Sequence, residues 1–257
     1  MRISCDLDGV VADMDGALAR LAEQEFGDAE ATGERARRDA EAKGEGAQFP
    51  IPSALEAVEG TPKPWAKAAE LPTAATLGRL TARQQNRLWE RVRQTRHFWE
   101  SLDECEPGTI GRLQHLAYDL RWDVLFVTQR PSTAGPTAQV QSQRWLHRHG
   151  YDLPSVYTTQ GTRGDIAAAL TLDAHIDDRL EHCVDVATRS TAWAILVWRE
   201  ADSFERVTAG ASKMGIAVVR TANEALDKLE QADRAAPADG PDTSGSSLLS
   251  RLKQAFQ

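Results

Sequence analysis

Asp6 and Asp8 stand one residue apart at the end of the stretch Ile3-Ser4-Cys5, and Gly9 follows them. In an extended chain, residues two apart point to the same side, so both carboxylates share one face of a strand tip. Glycine at the next position allows a sharp turn out of a sheet. Two acids crowded at such a tip repel each other unless a cation or a shared proton intervenes. The arrangement suits a hard divalent metal with oxygen ligands, with one carboxylate kept free for chemistry.

Three further segments carry reactive residue types. Residues 122–128 read as a buried strand ending in Thr128, followed by Gln129-Arg130-Pro131. Ala174-His175-Ile176-Asp177 reads as another strand, followed by Asp178-Arg179. Between them, Gly161-Thr162-Arg163-Gly164-Asp165 opens a helix. Taken alone, Thr128 is an ordinary strand end, Asp177-Asp178 an ordinary helix cap, and Arg163 an ordinary loop residue. In a parallel sheet, however, Asp6, Asp8, Thr128, Asp177 and Asp178 converge on one edge. Two unit charges about 4 Å apart repel by roughly 4 kcal/mol at an effective dielectric near 20, so four carboxylates in one cleft call for a metal.

The elements that must position these groups can be read from periodicity. Residues 2–7 predict a first strand. Residues 14–26 predict an amphipathic helix, with Met14, Leu18, Leu21, Ala22 and Phe26 on one face. Residues 28–47 are rich in Ala, Glu and Arg and read either as a solvated helix or as a mobile loop. Pro50, Pro52, Pro62, Pro64 and Pro72 break the next part into turns and short helices. Thr81 is the expected N-cap for a helix over 81–97. From Pro107-Gly108 onward, helices alternate with strands at 122–128, 156–158, 174–177, 193–198 and 216–219. The helices are the one opened by Pro107-Gly108, then 137–149, 164–171, 179–189 and 221–232. Such alternation predicts an α/β fold, a parallel sheet with helices on both faces, whose ligands bind beyond the carboxyl ends of the strands. Residues 233–247 have the composition of a flexible linker. Residues 248–257 form a short amphipathic segment with Leu248, Leu249, Leu252 and Phe256 on one side. It is expected to dock back on the domain, meet a partner or stay loose.

Bulk properties narrow the function classes. The chain has 257 residues, 41% hydrophobic and 26% charged, within the ordinary globular range. A net charge of −8 argues against binding a nucleic-acid polymer, which needs a basic face. No apolar run reaches the length of a membrane span. Cys5, Cys105 and Cys183 are scattered, without disulfide or zinc spacing, and no leader-like segment opens the chain, so the expected location is the cytoplasm.

The order of Asp6-Leu7-Asp8-Gly9-Val10, Thr128, Arg163 and Ile176-Asp177-Asp178-Arg179, each at a strand end or helix start, resembles the haloacid-dehalogenase-like (HAD) phosphohydrolase superfamily. The long insert after the first motif, and Phe98-Trp99-Glu100-Ser101-Leu102 running to Pro107-Gly108, are similar to its 5′(3′)-deoxyribonucleotidase-like branch. The resemblance implies a Rossmann-like core over 1–14 and 101–232 with a helical cap over 15–100. It also implies a magnesium-dependent phosphomonoester hydrolase acting on a small phosphorylated metabolite such as a (deoxy)nucleoside monophosphate. On that pattern Asp6 attacks phosphorus, Asp8 protonates the leaving oxygen and later activates water, and Thr128 bonds a phosphoryl oxygen. Mg²⁺ is held by the Asp6 carboxylate, the Asp8 main-chain carbonyl and Asp177, with Asp178 nearby or through water. The superfamily's third motif is usually a lysine. Here Arg163 is the best candidate, with Arg144 and Arg130 as alternatives, and an arginine is not an equivalent point charge. Arg130 and Trp99 are expected at the substrate. Trp99, at the hinge, either stacks on a base or, like Trp65 and Trp89, packs the cap on the core. The missing lysine also motivates an alternative: a binding or regulatory protein of the same fold with weak or no turnover.

Overall fold

The structure, a computed structural model, describes residues 1–27 and 75–235. The expectations for 28–47, the prolines at 50–72, Trp65 and the segment beyond 235 lie outside the described residues. The chain opens with β1 (Arg2–Cys5) and α1 (Met14–Phe26). Next come α2 (Ala75–Gly78), α3 (Ala82–Gln94) and a single 3-10 turn at Phe98–Glu100. Then helix and strand alternate: α4 (Thr109–Asp119), β2 (Asp123–Thr128), α5 (Ala138–Arg148), β3 (Ser155–Thr158), α6 (Arg163–Ala169) and β4 (Ala174–Asp177). The run finishes with α7 (Leu180–Arg189), β5 (Trp193–Val197), α8 (Phe204–Ala211), β6 (Ala217–Val219) and α9 (Ala222–Ala235).

The six strands make one parallel sheet in the order β3-β2-β1-β4-β5-β6. Strand order runs outward in both directions from the β1–β4 pair. That pair is the topological switch point, where an α/β sheet opens a crevice. Alternation along the strands divides the core between two faces. Trp193, Ile195 and Val197 of β5, Ile3 and Cys5 of β1, and Ala174 and Ile176 of β4 join α1, α4 and α9 in one apolar cluster. Ala194 and Leu196 point the other way, into a second cluster with Leu180, Cys183, Val186 and Val207. The polar residues between them, Ser4, Asp6, His175 and Asp177, therefore lie on the face covered by α6 and α7.

Local chemistry sets the element boundaries. Thr81 forms a full capping box with Gln84, and Thr137 and Thr162 cap α5 and α6 with their side chains. The Thr162 cap places Arg163 at the first position of α6. Gly164 lies so close to α7 that a Cβ there would collide with the carbonyl of Asp185, which fixes the height of Arg163 over the sheet. The first strand is shorter than its pattern predicts, because the backbone turns at Leu7: the N–H groups of Val11 and Ala12 both donate to the Leu7 carbonyl, at 3.0 and 2.7 Å. The helix predicted over 81–97 ends at Gln94, where Thr95 turns to extended backbone. Periodicity does not predict α8, whose only buried residues are Val207 and Ala211. Helix α9 runs to Ala235, past the predicted start of the linker, since Ala232 is buried and the Trp122 indole donates to Asp233 at 3.2 Å. Among the described residues, no helix is long and apolar enough to cross a membrane.

Glu106 ties the last helix to the first turn. Its carboxylate accepts from the backbone N–H of Ala222 at 2.8 Å and of Asn223 at 3.1 Å, and from Arg199 at 2.7 Å. Arg199 also donates to the carbonyls of Gly9 and Val10. Burial pushes the Glu106 carboxyl up, but the Ala222, Asn223 and Arg199 bonds outweigh it and hold it below its ordinary 4.5. A depressed carboxylate stabilises the fold above its unfolded value and loses that contribution as pH falls through the folded one. Glu106→Gln is therefore expected to cost about 1 kcal/mol at neutral pH, the usual worth of a helix cap. It should also make the decline in stability in acid shallower. Melting curves of the two proteins across acidic pH check both effects.

Candidate active site

Asp6 continues β1 by one residue and donates its N–H to the Ile176 carbonyl at 2.9 Å, which brings it level with Asp177 of β4. The turn that follows brings Asp8 back toward the end of β2. Gly9 adopts φ +80°, and a Cβ on it would strike the Asp178 carboxylate. Asp6, Asp177 and Asp178 each offer a carboxylate oxygen within 4.8 Å of the others. Asp6 and Asp177 are buried and Asp178 is partly so. The five acid and hydroxyl residues read from the sequence thus lie at the carboxyl ends of the adjacent strands β2, β1 and β4.

Arg163 reaches this group from α6. Its Nη2 lies 3.2 Å from Asp6 Oδ1 and its Nε lies 3.6 Å from Asp177 Oδ2. The Nε is buried without a hydrogen-bond partner among the described residues. Burial, then the charges of Asp177 and Asp8, push the Asp6 carboxyl up to about 7 against the pull of Arg163 and His182. Burial, then Asp177 and Asp6, push Asp178 well up. Asp177 goes the other way: burial raises it, but His182 and His175 more than offset that and hold it well below the usual carboxylate range.

Sequence reasoning does not single out the two histidines. His175 Nε2 lies 3.1 Å from Asp177 Oδ2, and its Nδ1 lies 2.7 Å from the Ser4 hydroxyl, its register partner on β1. Burial keeps the His175 pKa low despite Asp177. A neutral ring then donates from Nε2 to the carboxylate, which has no proton to give, and accepts from Ser4 at Nδ1. His182 Nδ1 sits 3.0 Å from Asp177 Oδ2, and the Arg179 N–H donates to Oδ1 at 2.9 Å. Asp177 is anchored from below and from the side. A signal for His175 is present in the sequence: it precedes Asp177 by two residues on a strand, and so shares its face.

Asp8 has a different environment. Arg130 donates from Nη2 to its Oδ1 at 2.6 Å and from Nε to its Oδ2 at 2.9 Å, and Thr128 donates to Oδ2 at 3.4 Å. Arg130 and Trp99, expected at the substrate, lie behind the cleft instead. Both are buried, the guanidinium stacks 4.8 Å from the Trp99 ring, and the indole N–H donates to the Pro131 carbonyl at 3.0 Å. Trp99 has no ring face open to a base; a buried cation and the Phe98–Glu100 turn occupy its surroundings. Arg144 is also away from the acids, 3.4 Å from Glu100, which leaves Arg163 as the arginine beside Asp6.

A small cleft opens over these groups. It is lined by the acids Asp6, Asp8 and Asp178, by Arg163, Arg179 and His182, and by Thr128 and Gln129. Three carboxylate oxygens at this spacing form a donor set for a hard divalent cation. The fold and site define an α/β protein with a Rossmann-like parallel sheet and an acidic cluster at its carboxyl edge. Comparison with protein-family models and with curated proteins gave no match to this chain.

Proposed function

We propose that this chain is a HAD-like phosphomonoester hydrolase that works through an aspartyl phosphate on Asp6, with the described helices between β1 and α4 belonging to an inserted cap. The observation that carries the reading is the convergence of Asp6, Asp8, Thr128 and Asp178 on one cleft together with Arg163, with Asp177 buried beside Asp6 and Asp178. Asp6 lies 3.2 Å from the buried guanidinium of Arg163 and at the switch point, where a bound phosphoryl group would meet it as a nucleophile. Its carboxylate oxygen bonds to phosphorus as the ester P–O bond breaks. The departing oxygen takes a proton from Asp8. Water then gives a proton back to Asp8 and attacks phosphorus, releasing phosphate and restoring Asp6.

On this reading Arg163 and the Thr128 hydroxyl bind the equatorial oxygens that carry charge in transfer. The carboxylates of Asp6, Asp177 and Asp178, with the main-chain carbonyl of Asp8, would hold Mg²⁺, which supplies positive charge to the phosphoryl oxygens when bound. The balance of acids and bases around the cleft suits a small phosphorylated metabolite, of which a (deoxy)nucleoside monophosphate is the leading instance. Phosphate release from a panel of phosphorylated metabolites, measured with magnesium and with a chelator, tests this. Metal-dependent release from at least one is expected. A second reading, a binding protein of the same fold with little turnover, is favoured by the grip of Arg130 on both oxygens of Asp8. Metal-dependent phosphate binding with no release across the panel selects it.

A further inference from the structure

The turn from Leu7 to Ala12 closes on itself and on its neighbours through its carbonyls. Leu7 accepts from the Val11 and Ala12 N–H groups, Val11 from the Cys105 N–H at 2.8 Å, and Ala12 from the Gly9 N–H at 3.0 Å. The carbonyls of Gly9 and Val10 accept from the guanidinium of Arg199, which the loop after β5 brings to the turn. Among the described residues, the Asp8 carbonyl accepts no hydrogen bond, although Asp8 is buried. A buried main-chain oxygen of this kind calls for a partner from outside the chain. It is also the main-chain donor of the proposed cation site, so the turn fits that cation.

Gly9 makes support from outside the turn matter. It sits at φ +80°, and glycine has wide freedom of φ and ψ. The Asp8 carbonyl and the Gly9 N–H belong to one rigid peptide plane, and the Gly9 carbonyl belongs to the next. Ala12 holds the first plane and Arg199 the second, so together they set both dihedrals of Gly9. Arg199 is itself held. Its Nη2 lies 2.7 Å from Glu106 Oε1, and Glu106 accepts from the N–H groups of Ala222 and Asn223 at the start of α9.

We propose that Arg199 is a positioning residue for the Asp8 carbonyl. By gripping the two carbonyls that follow, it fixes the peptide plane from which that oxygen is offered to Mg²⁺. The inference rests on the metal site of the phosphomonoesterase reading. The positive charge of Arg199 would by itself repel a divalent cation. Losing the residue therefore strengthens Mg²⁺ binding on charge alone and weakens it if Arg199 positions the turn.

The test measures the Mg²⁺ dissociation constant by calorimetric titration, with the metal-free melting temperature alongside. Arg199→Gln loses both the charge and the fork of two donors, and Arg199→Lys keeps the charge and loses the fork. Asn223→Ala is the control: it removes the bonds from Asn223 Nδ2 to Glu106 and Thr109, each 2.9 Å, and leaves Arg199 on the turn. Arg199→Gln is expected to weaken Mg²⁺ binding by about tenfold or more, the usual effect of losing a group that orients a ligand, and Arg199→Lys by a smaller factor. Asn223→Ala should melt lower and bind Mg²⁺ as the unaltered protein does. Should Arg199→Gln fail to fold, Arg199→Lys decides alone. Unchanged or tighter binding in the Arg199 variants overturns the proposal, and so does a control that loses as much affinity as they do. If the unaltered protein takes up no Mg²⁺, the metal site of the phosphomonoesterase reading fails and the proposal falls with it. Binding by the unaltered protein with no change in the variants removes the proposal alone.

Discussion

Asp6→Asn is expected to abolish phosphate release, by more than about 10⁴-fold, and to leave the protein folded. The loss follows from removing the nucleophilic oxygen while keeping the side-chain shape. The survival of the fold follows from the surroundings. Asp6 is a buried acid whose ionisation is opposed by burial and by Asp177 and Asp8. An amide there removes that repulsion and still accepts from Arg163, which lies 3.2 Å away. In the absence of metal, the variant should therefore melt at or above the temperature of the unaltered protein. With Mg²⁺ added the order should reverse. A ligand at 100 times its Kd stabilises by about 2.7 kcal/mol, and the variant, short of one carboxylate, should gain less. Retained turnover in this variant would remove the aspartyl phosphate from the account. A large fall in melting temperature without metal would make Asp6 a structural cap of the strand end instead.

Much of this site is legible in the amino-acid sequence, for a physical reason. A strand fixes which residues share a face, and a parallel sheet fixes which strand ends share an edge, so periodicity alone places Asp6, Thr128 and Asp177 together. The helices with side-chain caps, at Asp13, Thr81, Thr137 and Thr162, start where the sequence pattern places them within a residue or so. What escapes such reading is set by groups distant in sequence. Arg130 reads as a cation beside a ligand cleft, yet the carboxylate it grips is Asp8, 122 residues away, and the pair closes behind the cleft. Trp99 reads as an aromatic at a hinge. Only the tertiary fold reveals that its face is already taken by that same arginine. His182 is on a helix, five residues beyond Asp177, and no strand alternation announces it.

The close approach of Gly9 to Asp178 offers a second large effect. At φ +80° a side chain is strained by roughly 1–3 kcal/mol. The new Cβ of Gly9→Ala would in addition lie against the Asp178 carboxylate, which has to leave its place. The variant is expected to lose stability without metal by at least the strain cost, and to lose the extra stability that Mg²⁺ confers. The two effects separate in Gly9→Ala combined with Asp178→Ala. Removing the Asp178 side chain clears the collision and takes a partly buried acid away from Asp177 and Asp6, so the double variant should melt higher than Gly9→Ala alone. It should still fail to respond to Mg²⁺, because a donor is missing from the cluster. Thermal melts of the three proteins with and without magnesium read both quantities. If Gly9→Ala keeps the full magnesium response, the cation sits elsewhere than among Asp6, Asp177 and Asp178, and the nucleophile loses the neighbour that its chemistry requires.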